Sequence, residues 1–299
     1  MDEVQTQFYR LLFRLAFQSK KGTEFQDWFV RLAHYSLGSD FETVRPYGRQ
    51  GDFKSDGRRL STGTIFQCYA PYDLNLARLI TKIREDFLGA LTKWPAMAEW
   101  ALVHNDGRGL PAEALQYLDA LRDKHPDVRI VVWGEVQLSE LAGDLDLPGQ
   151  EALFGPAPSR SGVETLIMQD LPPVIRELQR LDPAPDQVPL TPPSSNKLDK
   201  NDLSEDAAAL LTIGRRKEAL VDSYFRTHPR PDLGERVAES FRQRYARLRD
   251  HGRSPDEIFA HLQQYAGSGA EPKRQGAALS VLSYFFDRCD IFEDPESDS

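Results

Sequence analysis

The chain reads as a mixed α/β domain followed by an all-α domain, and three observations carry that expectation. Strand-like runs are confined to the first half: "FETVRPY" (41–47), "DFKSDGRRL" (52–60), "TIFQCYA" (64–70), "WALVHN" (100–105) and "VRIVVWG" (128–134). The first three are joined by tight Gly and Ser turns, which forces antiparallel pairing, whereas the last two follow helical stretches, which act as crossovers in a mixed sheet. From Leu203 onward the apolar spacing is helical to the end.

Each element follows from its pattern. Residues 4–18 alternate apolar and polar side chains with helical spacing, and residues 22–36 place Phe25, Trp28, Phe29 and Leu32 on one face. Gly48, Gly51 and Ser61-Thr62-Gly63 mark the turns between the first strands. A long amphipathic helix over 75–93 carries Leu76, Leu79, Ile80, Ile83, Phe87 and Leu91, and Trp94-Pro95 closes it because proline disfavours helical geometry just before itself. Another helix is expected over 111–124, and 135–182 reads as broken helices. Residues 183–199, "DPAPDQVPLTPPSSNKL", lack periodicity and read as a linker. Helices follow near 204–226, 232–251, 255–265 and 273–288, the first capped by Ser204 and the third opened by the capping box Ser254-Pro255-Asp256-Glu257. The tail "DPESDS" is acidic and expected to fray. The domains expected are 1–155 (α/β), 156–195 (helix and linker) and 196–299 (helical).

Composition narrows the function classes. The 299 residues are 40% hydrophobic and 28% charged, ordinary globular values with room for two domains. Apolar runs are strand-sized, so no membrane span is expected, and the N-terminus reads as a structural helix rather than a signal peptide. The two cysteines, Cys68 and Cys289, suggest a reduced, cytoplasmic protein. No CxxC occurs and the six histidines lack ligand spacing, which speaks against zinc. No GxxxxGK[ST] occurs, so the chain itself is not expected to be an ATPase, and "GRGLP" (107–111) lacks the context of a nucleotide loop. The net charge of −9 argues against wholesale coating of nucleic acid. One window departs from it: Arg45, Arg49, Lys54, Arg58 and Arg59 face only Asp52 and Asp56. That window is either a charged hairpin edge or a patch that meets phosphates.

The chemistry-bearing stretches are "GDFKSDG" (51–57) and "IFQCYAP" (65–71). Side chains alternate along a strand, so Gln67 and Tyr69 share a face, and Asp56 can reach them from the neighbouring strand. Asp52 also suits local turn chemistry. Tyr69-Ala70-Pro71-Tyr72 could stack bases, although aromatics there are more often core. His104 reads as a core histidine.

These residues resemble a known pattern. The order helix, three strands, helix, strand, with an aspartate on the second strand and a polar pair on the third, looks like the PD-(D/E)xK restriction-endonuclease fold over about residues 20–135. "GDFKSD" keeps both aspartates of a branch whose signature runs roughly G-D-G-G-I-D then Q-x-K. "GTEFQDWF" (22–29) resembles its first-helix motif, with Gln26 where an acid is usual and Glu24 two residues earlier. The resemblance implies metal-dependent hydrolysis of DNA with Mg2+ or Mn2+. It makes Asp56 a metal ligand, helped by Asp52 and Gln67, with Gln67 and Tyr69 orienting water or phosphate and Glu24 or Gln26 in the outer shell. Arg45, Arg49, Lys54 and Arg58 would approach the DNA backbone. The departures are Tyr69 in the lysine position and Gln26 for an acid. A phenol with a pKa near 10 supplies no positive charge at neutral pH. Two other readings therefore stand beside the nuclease: a non-catalytic adaptor or sensor that binds nucleic acid or a partner, and a scaffolding or transcriptional protein without a metal site.

The second half resembles the C-terminal domain of ABC-three-component systems over about 195–295, most distinctively in "FRQRYARLRDHGRSPDEIF" and "YFFDRCDIFE". The resemblance implies a prokaryotic defence or conflict system. In such a system an SMC- or ABC-type ATPase and a small middle protein would be the partners. On composition, "SVLSYFFDRCDIF" reads first as a core helix and second as a partner-binding surface.

Overall fold

The structure is a computed structural model and describes residues 1–44, 54–180, 201–267 and 272–288. Asp52, Arg45, Arg49, Cys289 and the expected linker 183–199 lie outside the described residues. The chain divides into two compact units, Phe13–Leu153 and a unit formed by Met1–Leu12 with Phe154–Ser299.

The first unit is built on a five-stranded sheet: β1 (Phe41–Thr43), β2 (Gly57–Arg59), β3 (Thr64–Tyr69), β4 (Glu99–His104) and β5 (Arg129–Trp133), side by side in chain order. β1, β2 and β3 pair antiparallel, while β3, β4 and β5 run parallel. The mixed sheet expected from the link lengths is thus present. Helices α2 (Gly22–Leu37), α3 (Leu76–Lys93), α4 (Ala112–Lys124) and α5 (Glu135–Gly143) belong to this unit, with α1 (Glu3–Ser19) from Phe13 onward and α6 (Leu147–Phe154) up to Leu153.

Two apolar layers follow from strand alternation. Ile65, Trp100, Leu102 and Ile130 bury against Leu79, Ile83 and Phe87 of α3 and Leu118 of α4. On the other face Phe66 packs against Phe29 of α2, with ring centroids 5.4 Å apart, and edge-on to Trp133 at 4.9 Å. Asn75 caps α3 by accepting the Arg78 N–H at 3.0 Å, and Trp94 ends it.

Among the described residues of the expected run 52–60, strand begins at Gly57, and Lys54 adopts φ 61, a left-handed conformation outside the extended range. Its side chain crosses Gly89 of α3, where an added Cβ would meet Lys54 Cγ at 2.6 Å.

The second unit is helical, as expected: α7 (Arg160–Glu164), α8 (Leu171–Arg180), α9 (Glu205–Arg215), α10 (Glu218–Thr227), α11 (Leu233–Asp250), α12 (Pro255–Gly267) and α13 (Pro272–Asp287). The Ser254–Glu257 capping box forms reciprocally, with Ser254 N–H donating to Glu257 Oε2 at 2.8 Å and Glu257 N–H to Ser254 Oγ at 3.3 Å. The helix expected over 204–226 is two helices. Arg216 and Lys217 close tight turns onto Ile213 and Gly214, and Lys217 Nζ donates to the Glu164 carbonyl at 2.6 Å, which anchors the corner to the end of α7. α13 is the central helix. It packs on α7, α8, α9, α10 and α12, and Leu279, Val281, Leu282, Phe285 and Phe286 are fully buried.

Candidate functional site

The carboxyl end of β3 brings Asp56 and Gln67 together. Gly57 pairs with Phe66 in the β2–β3 ladder, so Asp56, one residue earlier, falls opposite Gln67. Asp56 N–H continues that ladder by donating to the Phe66 carbonyl at 2.8 Å. The Asp56 carboxylate is 2% exposed. Its Oδ2 accepts the Cys68 N–H at 2.6 Å and the Gln67 side-chain amide at 3.1 Å. Gln67 is buried as well, and its Oε1 has no hydrogen-bond partner. A buried amide oxygen without a donor is costly, and a water or an ion can satisfy it; Gln150 Oε1 and Gln263 Oε1 are in the same state elsewhere.

The surroundings tune this pair. Burial pushes the Cys68 thiol well up, the Asp56 charge pushes it further, and the Lys82 ammonium acts in the opposite direction. Cys68 is therefore held as a neutral thiol. Lys82 lies on α3 and pairs at 2.5 Å with Asp86, which is 2% exposed. Lys54 pairs with the other oxygen of Asp86 at 3.0 Å. This buried carboxylate thus holds two cations, both partly open to solvent, along a shallow groove of about 380 Å3 that Arg78, Thr81 and Glu85 also line.

The other expected site residues are placed differently. Tyr69 is half-buried two residues beyond Gln67 and lines a cavity whose lining includes neither Asp56 nor Gln67. Burial raises its phenol, against a smaller effect of Arg78, so it is neutral at physiological pH. Glu24 is exposed and Gln26 half-buried in the first turns of α2, whose start is tied to the end of β3 by the Gly22 N–H bond to the Ala70 carbonyl at 2.7 Å. Arg58 forms an ion pair with Glu42 at 2.6 Å and lies 5.4 Å from the Trp94 ring centre. His104 is 5% exposed, its Nδ1 accepts the Asp106 N–H at 3.2 Å, and burial lowers its pKa, so the ring is neutral. Among the described residues, no group of three or more His, Cys, Asp or Glu side chains could hold a metal ion.

Sequence reasoning missed Asp86 and Lys82. The available signal was an acid between Ile83 and Phe87 on the apolar stripe of α3, with a lysine four residues earlier.

Comparison with known proteins resolves the second half. Residues 169–293 match the family model described as C-terminal domain 10 of the ABC-three component (ABC-3C) systems. The C-terminal region is an ABC-3C C-terminal domain. The match takes in α8, which packs on α11, α12 and α13. The ABC-3C domain indicates that the protein is a component of an ABC-three-component system, with partners inside that system. No match was found among curated proteins or among solved structures. Among the described residues, no helix is long and apolar enough to cross a membrane.

Proposed function

We propose that the α/β unit of this ABC-3C component is a restriction-endonuclease-like module that binds DNA and hydrolyses its phosphodiester bonds with a divalent metal. The observation that carries the reading is the Asp56–Gln67 pair, a buried carboxylate beside an amide oxygen that lacks a hydrogen-bond partner. One carboxylate and one neutral oxygen suit Mg2+, which binds through few protein ligands and keeps several waters. Asp56 and Gln67 Oε1 would hold the ion, and Asp52 is a further candidate ligand. When bound, such an ion polarises a phosphoryl oxygen and lowers the pKa of water.

The chain's own residues do the rest. The Cys68 N–H and the Gln67 amide fix the Asp56 carboxylate in one orientation. Tyr69, a neutral phenol, does not supply the positive charge of the usual lysine. Lys82, paired with Asp86 on α3, is the candidate for that charge. Lys54, Arg58, Arg45 and Arg49 would meet the DNA backbone, and Glu24 or Gln26 would act from the start of α2. The ABC-3C domain would dock onto an SMC- or ABC-type ATPase and the small middle protein.

One observation favours a second reading, a non-catalytic adaptor or sensor that binds nucleic acid or the ATPase. Asp56 Oδ2 already accepts two protein donors, as a structural latch would. Plasmid incubated with Mg2+ or Mn2+ separates the two. Metal-dependent nicking lost in Asp56→Ala supports the enzyme, and no cleavage even with the partner proteins supports the adaptor.

A further inference from the structure

The carboxyl ends of the parallel strands β3 and β4 open into a cavity of about 340 Å3, within the ordinary range for small-ligand pockets. In open sheets the crevice at these strand ends is where ligands settle, since the crossover loops diverge there. The loops that leave β3 and β4 are held in place here. The Gly22 N–H bonds the Ala70 carbonyl at 2.7 Å, and the Asn105 amide bonds the Lys20 carbonyl at 2.6 Å. The Asp106 carboxylate accepts the Arg108 N–H at 2.9 Å, and Gly109, at φ +83, turns the chain back so that its N–H meets the Asp106 carbonyl at 3.0 Å.

The lining combines two chemistries. Tyr69 and Tyr72 offer flat apolar rings, while Lys21 and Arg108 offer positive charge. Tyr72 is 82% exposed, an unusual state for a tyrosine held beside an ordered cavity. The Arg108 side chain is 91% exposed and lies 3.6 Å from Asp106, so its guanidinium is presented to solvent. His104 and Asn105 sit deeper, each 5% exposed. Because His104 Nδ1 accepts the Asp106 N–H, the proton of the neutral ring is on Nε2. An open aromatic ring beside Lys21 and Arg108, the latter next to the lining Asp106 carboxylate, and a polar floor suits a planar base that carries phosphate.

We infer that this cavity is a stacking site for an unpaired nucleotide of a single DNA strand, with the base on Tyr72 and the flanking phosphates at Lys21 and Arg108. A duplex keeps its bases stacked on one another and cannot offer that face, so the site selects unpaired DNA. The inference rests on the reading that the α/β unit engages DNA, but it does not depend on the chemistry at Asp56.

The test is a fluorescence titration of the full chain, in chelator, with a short single-stranded oligonucleotide that carries 2-aminopurine. Native protein is expected to bind and to change the 2-aminopurine emission. Tyr72→Ala is expected to weaken binding about 10-fold or more, and Tyr72→Phe, which keeps the ring, to restore it. Replacing Lys21 and Arg108 together by Ala is expected to weaken binding and to flatten its salt dependence. Tyr72 is largely exposed, so the variants should fold, which melting curves verify. The inference is overturned if the strand does not bind, if Tyr72→Ala binds as tightly as the native chain, or if Tyr72→Ala weakens binding of a blunt duplex of the same sequence as much as it weakens binding of the single strand. The titration contains no metal and reads binding alone. A failed cleavage assay alongside strand binding would therefore count against the Asp56 reading and not against this one.

Discussion

Asp56 is a buried carboxylate whose Oδ2 accepts one backbone and one side-chain donor, and it stands directly across from Gln67. Removing it leaves the Cys68 N–H and the Gln67 amide without this acceptor, at about 1–3 kcal/mol for each buried group left unpaired. Asp56→Ala should accordingly lower the urea midpoint, and Asp56→Asn, which keeps an acceptor, should lower it less. Asp40 offers a pH test on the same hairpin. Its carboxylate accepts the Ser61 hydroxyl at 2.6 Å, Arg59 Nε at 2.7 Å and the Ser61 N–H at 2.7 Å, and these bonds lower its pKa from 3.8 to about 2. A folded pKa below the unfolded one means that the unfolded chain binds the proton more readily. The stabilisation is thus fully present above about pH 4 and is lost as the pH falls toward 2. Melting temperatures measured across that window should fall less steeply in Asp40→Asn than in the native chain. The Asp56–Gln67 pairing was legible because strand alternation needs only local sequence. The Asp86 pairing was not, since Lys54 reaches α3 through a left-handed backbone turn that no local pattern announces.

At the scale of elements, α3 carries a buried charge on its apolar stripe. Asp86 is kept there by Lys54 and Lys82. Replacing both lysines by methionine should destabilise the protein by about 2–4 kcal/mol, somewhat below the cost of stripping a fully buried pair, because solvent reaches both ammonium groups. Either single replacement should cost less, and chemical denaturation of the three variants measures the difference. The contact of α9 with α13 makes a second case. A Cβ on Gly214 would lie 2.8 Å from the Leu279 carbonyl oxygen and would also run into Ser283 Oγ. Gly214→Ala gains up to about 1 kcal/mol of helix propensity, yet the overpacking costs about 1–3 kcal/mol. Its melting temperature should fall, and a rise would show that α13 can shift aside. Most helices were legible from apolar spacing and caps. The break between α9 and α10 was not, because it is fixed by Lys217 bonding to the distant Glu164 carbonyl.

Across the whole molecule, a five-stranded mixed α/β unit accompanies a helical unit that holds an ABC-3C C-terminal domain. Link lengths revealed antiparallel pairing of the first three strands within a mixed sheet, but not the side-by-side order of the five strands. The apolar density of "SVLSYFF" revealed a core helix: Leu279 to Phe286 are buried within the helical unit. Partner docking by that unit should therefore use surfaces other than this helix. The central claim concerns chemistry, on which the sequence was least decisive because Tyr69 replaces a lysine and Lys82 lies on another element. The most direct measurement is nicking of supercoiled plasmid by the full chain, with its system partners, in Mg2+ or Mn2+. A folded Asp56→Asn variant and a chelator control accompany it. The expected result is metal-dependent nicking that chelator and Asp56→Asn both abolish. Nicking that persists in Asp56→Asn, or none in the native protein under any of these conditions, would contradict a nuclease centred on Asp56.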